Sequence, residues 1–171
     1  MVKIIKANAT HSEFIARIGE QTFFESHGHS ASKEDIESYI SKTYNKEAIL
    51  EEFNKEKVLY HLIYCDGDIA GFSKIELVTT NKNIADLNIT KLDRIYLLEG
   101  FHGKQIGTRL FQFTIELSKK QYQNGIWLAV WTENQKAVNF YQKMDFKVVG
   151  AFDFKISETH SNPNHIMYLK Y

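Results

Sequence analysis

The sequence has one cysteine, Cys65, and one proline, Pro163, among its 171 residues. A single cysteine excludes a disulfide framework within the chain and a zinc site built from several thiolates. Because there is one proline and no low-complexity tract, the chain contains no proline-rich linker at which it could be divided. We therefore predict a single domain over residues 1–171 in a reducing, cytoplasmic setting.

An excess of one charge and a long apolar run are also missing. Basic and acidic residues number 21 each, so the formal net charge is zero, and no basic surface predicts a nucleic-acid partner. Polar residues interrupt the apolar character of the N-terminal segment, and no apolar run is long enough to span a bilayer, so no membrane partner is expected. The chain does have 43% hydrophobic and 13% aromatic residues, which is enough for a globular core.

Hydrophobic periodicity predicts the order β-α-α-β-β-β-α-β-α-β-β, with a further short helical pattern over Lys46–Phe53. The predicted strands are Val2–Ala7, Val58–Cys65, Asp68–Leu77, Leu92–Leu98, Ile126–Trp131, Phe146–Phe152 and Ile166–Lys170. The predicted helices run from Thr10 to Ser26, from Ser32 onward, from Lys104 to Tyr122 and from Asn134 onward. Asp66-Gly67 signals a hairpin, and the later strand–helix–strand crossovers imply parallel pairing. The expected fold is α/β (α+β), a mixed sheet with helices on both faces.

The stretch Glu99–Thr108 combines the end of a strand, glycines and the start of a helix. Unpaired backbone N–H groups and the helix dipole at such a turn favour an anion, and Gly103 and Gly107 let a phosphate approach the backbone closely. The spacing matches neither the P-loop nor the dinucleotide pattern G-x-G-x-x-G. The alternative is a plain glycine-containing turn. Gln105 is compatible with an anion site provided that it avoids a positive φ.

The segment Asn134–Phe146 (NQKAVNFYQKMDF) resembles the signature N-x-x-A-x-x-F-Y-x-K-x-G-F of the GNAT acetyltransferase superfamily and departs from it only at Asp145. The preceding turn resembles the superfamily pattern [R/Q]-x-x-G-x-[G/A], with His102 and Gln105 as departures. Because the element order is also the GNAT order, the resemblance covers essentially the whole chain. Four further stretches are similar to bacterial spermidine/spermine acetyltransferases of the Pai type: Glu20–Phe23, Arg94–Tyr96, Ile126–Trp131 and Val149–Ala151.

The resemblance implies a mostly antiparallel mixed sheet with a central, splayed parallel pair of strands. It implies acetyl-CoA as cosubstrate, no metal, and transfer of the acetyl group to a primary amine by direct attack in a ternary complex. A polyamine such as spermidine or spermine is the predicted acceptor. The alternatives are a protein or peptide N-acetyltransferase and a non-catalytic CoA-sensing domain. The resemblance also allows a homodimer, although no segment specifies an interface.

The resemblance assigns roles to individual residues. Tyr141 is the general acid that protonates the departing thiolate, unless it is only a half-buried aromatic. Asn134 contacts the pantetheine arm or simply caps its helix, and Lys143 contacts a cofactor phosphate or lies in solvent. Main-chain groups around Tyr96, those of Ile95 and Leu97, pair with the arm, and an N–H near Leu97 polarises the thioester carbonyl. The remaining predicted cofactor contacts are His102, Gly103, Lys104, Gln105, Ile106, Gly107 and Thr108.

The acceptor side is less defined. Asp93 is the first candidate for taking the proton of the amine, with Glu76 and Glu99 as others, and an ion pair in the sheet is the alternative. His27 and His29 fit a polar loop better than a metal site, and His27 could touch the substrate. Acidic residues that could attract a polyamine, with lysines interleaved, are Glu34, Asp35, Glu37, Glu51 and Glu52.

Overall fold

The structure, a computed structural model, describes all 171 residues as seven strands and five helices, with two short 3₁₀ turns. The strands are β1 (Val2–Lys6), β2 (Val58–Cys65), β3 (Asp68–Glu76), β4 (Thr90–Leu97), β5 (Gly125–Trp131), β6 (Lys147–Lys155) and β7 (Ser161–Lys170). The helices are α1 (Ser12–His27), α2 (Lys33–Thr43), α3 (Lys46–Phe53), α4 (Ile106–Lys120) and α5 (Gln135–Lys143).

The strands form one sheet in the order β1-β2-β3-β4-β5-β7-β6. Every pair is antiparallel except β4 and β5, so the predicted mixed, mostly antiparallel sheet with one central parallel pair is confirmed. The second predicted crossover does not give an adjacent parallel pair, because β7 lies between β5 and β6. β7 is also longer than predicted and includes Pro163.

Local sequence explains most of the element boundaries. Asp66 and Gly67 both have positive φ, 53° and 100°, as a two-residue hairpin turn requires. The side chain of Ser32 accepts a hydrogen bond from the Asp35 N–H at 3.2 Å and starts α2 as predicted. The predicted cap at Thr10 is wrong. Asn8 instead caps a 3₁₀ turn, and α1 begins after it.

The two faces of the sheet are covered by different helices. On one face, which we call the α1 face, α1 and α3 pack on Tyr60, Leu62 and Phe72. On the other, the α4 face, α4 and α5 enclose a core that includes Phe111 and Tyr141. Within α1, Ile15 faces the core and is buried, and Phe14 is 49% exposed.

Candidate active site

The central parallel strands separate soon after they meet. β4 pairs with β5 at only two positions, Thr90 with Ile126 and Lys91 with Trp127. Both strands continue for several residues beyond this pairing. The rest of β4 therefore borders an open gap in the sheet, as expected for a splayed pair.

Backbone groups of β4 point into this gap. The N–H of Leu98 donates to the carbonyl of Ala70 beside β3 at 2.9 Å. Because backbone groups alternate in direction along a strand, those of Tyr96 also face β3, and those of Ile95 and Leu97 face the gap. The two residues predicted to pair with the pantetheine arm thus present N–H and C=O groups where β5 does not use them.

The turn that follows β4 carries a run of free backbone donors. The first backbone hydrogen bond of α4 runs from the N–H of Arg109 to the carbonyl of Gln105 at 3.0 Å. None of the six N–H groups from Gly103 to Thr108 donates to a backbone or side-chain acceptor. Ile106 is buried in the core, so it offers only its backbone. Consecutive free N–H groups at the positive end of a helix dipole fit a phosphate or pyrophosphate.

Gln105 was expected to be compatible with an anion site if it avoided a positive φ, but its φ is positive. Its φ and ψ are +57° and 10°, in the left-handed region that favours glycine. Gly103 also has a positive φ, +77°. Gln105 therefore keeps the turn geometry that a glycine would supply, at a cost of about 1 kcal/mol in backbone strain.

The side chains of the turn are exposed and lie close to its backbone. Nε2 of His102 is 3.0 Å from the carbonyl oxygen of Leu97 and donates to it, since a carbonyl can only accept. The ammonium of Lys104 lies 5.5 Å from the centre of the Phe101 ring. His102 thus occupies the carbonyl of one of the two gap-facing residues.

Tyr141 lies on α5, packed in an aromatic cluster. Its ring centre is 6.0 Å from that of Phe111, 5.4 Å from Phe140 and 5.7 Å from Phe146. Burial, with a smaller contribution from Tyr96, raises the pKa of Tyr141 above its usual range. The residue is 9% exposed, and its hydroxyl makes no hydrogen bond. A protonated, unpaired phenol is the form that can donate a proton.

The other predicted residues of α5 lie at its two ends. Oδ1 of Asn134 accepts from the N–H of Ala137 at 3.1 Å, so the capping role is confirmed. Lys143 is exposed in the last turn and forms no ion pair. Asp145, which replaces the glycine of the signature, has φ +65° just beyond the helix, as expected for a left-handed C-terminal residue.

Asp93 belongs to an ion-pair network on the α1 face. Its carboxylate is 2.8 Å from the ammonium of Lys74 and 2.5 Å from that of Lys91. Burial alone would raise the pKa of Asp93, but Lys74, Lys91 and Arg94 outweigh it and hold the pKa well below its usual range. A carboxylate in this state is a weak base. The structure therefore favours the ion pair that the sequence left as the alternative to the proton-accepting role.

The same network contains Glu52, one of the acidic residues that were predicted to attract a polyamine. Glu52 accepts two hydrogen bonds from Arg94, at 2.9 and 3.1 Å, and lies 3.0 Å from Lys74. The sequence offered a signal for this network, because charged residues alternate within the neighbouring strands β3 and β4. An open groove of about 850 Å³ between α1 and α2 instead carries three acidic side chains and one basic one: Glu20, Glu25, Glu37 and Arg17.

His27, the last residue of α1, and His29, in the turn that follows it, lie against an aromatic residue at the end of β5. The ring centres of His27 and His29 are 5.4 and 5.3 Å from the Trp131 ring. No three His, Cys, Asp or Glu side chains converge as metal ligands would. The stacking of His27 on Trp131 was not predicted, since the two residues are far apart in sequence. No helix is both long and apolar enough to cross a membrane.

Comparisons with known proteins bear on the family and the fold of this chain. The model of the acetyltransferase (GNAT) family matches residues 20–146. An uncharacterized N-acetyltransferase from the pepI 3′ region of Lactobacillus delbrueckii subsp. lactis is 31% identical over 141 residues, which cover 82% of this chain and 81% of the relative.

A sequence relative and a solved structure from Thermoplasma acidophilum add to these comparisons. Its spermidine N(1)-acetyltransferase is 25% identical over 151 residues, covering 86% of this chain and 89% of the relative. The crystal structure of a PaiA N-acetyltransferase in complex with coenzyme A matches with a TM-score of 0.80 at 25% identity, over 100% of this chain and 99% of that one.

Proposed function

Since the chain belongs to the acetyltransferase (GNAT) family and is an acetyl-CoA-dependent N-acetyltransferase, we propose that it acetylates a primary amine of a polyamine such as spermidine or spermine. The amine attacks the thioester directly while both substrates are bound. The observation that carries this proposal is the arrangement around the gap between β4 and β5. The N–H groups of Gly103–Thr108 are free, the backbone groups of Ile95 and Leu97 face the gap, and the phenol of Tyr141 makes no hydrogen bond.

Each part of this region has a chemical role in the proposal. The turn N–H groups hold the pyrophosphate of acetyl-CoA, with Lys104 and Lys143 adding positive charge. The pantetheine arm enters the gap beside Ile95 and Leu97 and contacts Asn134. The N–H of Leu97 polarises the thioester carbonyl as it becomes an oxyanion.

Proton transfer completes the reaction. The amine nitrogen bonds to the carbonyl carbon, and the carbon–sulfur bond then breaks. Tyr141 gives its proton to the departing thiolate and recovers one from the acetylated nitrogen. Of the two protons lost by the starting ammonium, one ends on the thiol of CoA and the other goes to solvent. Asp93 stays a candidate for accepting the proton that goes on to solvent, although its ion pairs oppose that role.

A polyamine acceptor is supported by two observations. A relative that aligns with most of this chain is a spermidine N(1)-acetyltransferase. The groove between α1 and α2 carries Glu20, Glu25 and Glu37 against one cation, Arg17, and a negative groove attracts a multiply charged cation.

Release of free thiol from acetyl-CoA tests the proposal. The panel contains spermidine, spermine, lysine peptides and aminoglycosides, and each acetylated product is identified by mass. We expect the highest kcat/KM with spermidine or spermine. A higher value with peptides would favour the protein N-acetyltransferase alternative. Calorimetric binding of acetyl-CoA without thiol release from any amine would favour the CoA-sensing alternative.

A homodimer and a cytoplasmic location stay predictions. Strand β6 forms one edge of the sheet and carries two apolar side chains, Val148 and Phe152, each 48% exposed. Sedimentation equilibrium at several concentrations distinguishes a dimer from a monomer.

A further inference from the structure

A row of aromatic side chains, which we call the aromatic wall, bridges the splayed strands on the α1 face. It consists of Tyr96, Tyr44, Phe23, His27 and Trp131. The hydroxyls of the two tyrosines are 2.8 Å apart, and the ring centres of Tyr44 and Phe23 are 5.7 Å apart. Phe23 and His27 stack at 4.6 Å, and His27 and Trp131 lie at 5.4 Å. The wall thus runs from β4 to the end of β5, beside the gap.

His27 is the one residue of the wall with a ring nitrogen that can accept a hydrogen bond. The neighbouring contacts favour one tautomer. The hydroxyl of Ser26 is 2.8 Å from the carbonyl of Thr22 and can donate its single proton there. The same oxygen lies 2.7 Å from Nδ1 of His27, and in that arrangement Nδ1 carries a proton and donates to it, which leaves Nε2 as an acceptor. Nε2 has no protein partner, and the side chain of His27 is only partly buried.

The surroundings also keep this imidazole uncharged. Burial, and to a smaller extent His29, lowers the pKa of His27 to about 4. At neutral pH the ring accepts a hydrogen bond without adding a positive charge that would repel a cationic amine.

We propose that Nε2 of His27 binds the acceptor, taking a hydrogen bond from the amine that is acetylated, while the aromatic wall holds the imidazole in place. This inference rests on the proposed function, since it names an acceptor-binding residue for the same site. Trp131 and Leu97 end two parallel strands and so lie at the same edge of the sheet. An amine held at His27, beside Trp131, would therefore lie at the edge of the sheet at which β4 ends.

The substitution His27→Phe tests this role, because phenylalanine keeps a planar ring in the stack and removes both nitrogens. We expect the KM for spermidine to rise about tenfold, the loss of one hydrogen bond to a charged or polar ligand. The KM for acetyl-CoA should stay within about twofold. His29→Phe is the matched control, since His29 lies at a similar distance from Trp131, and its spermidine KM should not change. An unchanged spermidine KM in His27→Phe would overturn the proposal.

A second measurement separates this proposal from the proposed function. In ¹⁵N-labelled protein, the histidine ¹⁵N–¹H correlation spectrum should show the Nδ1–H tautomer for His27, assigned by the loss of its signal in His27→Phe. Added spermidine should shift the Nε2 resonance even if no amine is turned over. If thiol release fails for every amine while this shift appears, the proposed reaction is wrong and the binding site stands. An Nε2–H tautomer, or no shift at saturating spermidine, would contradict the role of His27.

Discussion

The hydroxyls of Tyr44 and Tyr96 lie 2.8 Å apart and join the end of α2 to β4 at the point where the sheet opens. Tyr44 is buried, and the guanidinium of Arg94 lies 5.2 Å from the centre of its ring. A Cβ atom at Gly19 would overlap this ring, so α1 also depends on the position of Tyr44. The tyrosine pair therefore fixes α1 and α2 against the strand that borders the gap.

A double-mutant cycle on this pair measures the coupling. Tyr44→Phe and Tyr96→Phe should each lower the free energy of unfolding by about 1–3 kcal/mol, because each leaves a buried hydroxyl without its partner. The double variant should lose less than the sum, by about 1 kcal/mol. Urea unfolding gives the three values. Strict additivity would show that the two hydroxyls do not interact in solution.

Removing the phenol of Tyr141 should separate binding from turnover. We expect Tyr141→Phe to lower kcat about a hundredfold, the size of a typical general-acid contribution, with the dissociation constant of acetyl-CoA nearly unchanged. Tyr122→Phe is the matched control, since Tyr122 is 90% exposed at the end of α4. Steady-state thiol release and calorimetry provide the two constants. Full activity in Tyr141→Phe would remove the assignment of Tyr141 as the acid.

Substituting Asp93 tests both its structural role and its candidacy as proton acceptor. Lys74 is 3% exposed, and Asp93→Asn removes one of its three carboxylate partners. The free energy of unfolding should fall by about 3 kcal/mol at pH 7, at the lower end of the cost for breaking a buried ion pair. Asp153→Asn, on an exposed part of β6, should change it by less than about 0.5 kcal/mol. A hundredfold loss of kcat with intact fold would instead support proton transfer by Asp93.

The stability difference between the wild type and Asp93→Asn should also depend on pH. The folded-state pKa of Asp93 is depressed, so its contribution to stability is complete above the unfolded value, about 4. It is lost as the pH falls through the folded value. The stability difference between the wild type and Asp93→Asn should be constant above about pH 5 and shrink below about pH 4. Urea unfolding at several pH values measures it, and a difference that grows on acidification would contradict the ion-pair role.

The hairpin at Asp66-Gly67 and the cap at Asn134 could be predicted from sequence, because each depends on a few neighbouring residues. The contacts of α1 and α2 with the sheet could not be predicted, because they join distant segments. Tyr44 and Tyr96 are 52 residues apart in the chain, and neither periodicity nor a motif brings His27 to Trp131.

The failures near element ends have a similar cause. Thr10 and Asn8 are both good capping residues, and only the packing of the first turn decides between them. The backbone of Gln105 is set by the way the chain passes from β4 to α4, which overrides the preference of a glutamine for negative φ.

Gln105 provides a final prediction, because its positive φ costs free energy that glycine would not. Gln105→Gly should raise the free energy of unfolding by about 1 kcal/mol and the melting temperature by about 2–4 °C. The change leaves every backbone N–H of the turn in place, so the affinity for acetyl-CoA should be equal or higher. Gln121→Gly is the matched control at the other end of α4, where φ is −88°, and it should bring no gain. Differential scanning calorimetry compares the three proteins. Gln105→Gly could instead melt at or below the wild-type temperature. Gln105 would then not hold the left-handed conformation in solution, and it would replace the glycine of the superfamily pattern without backbone strain.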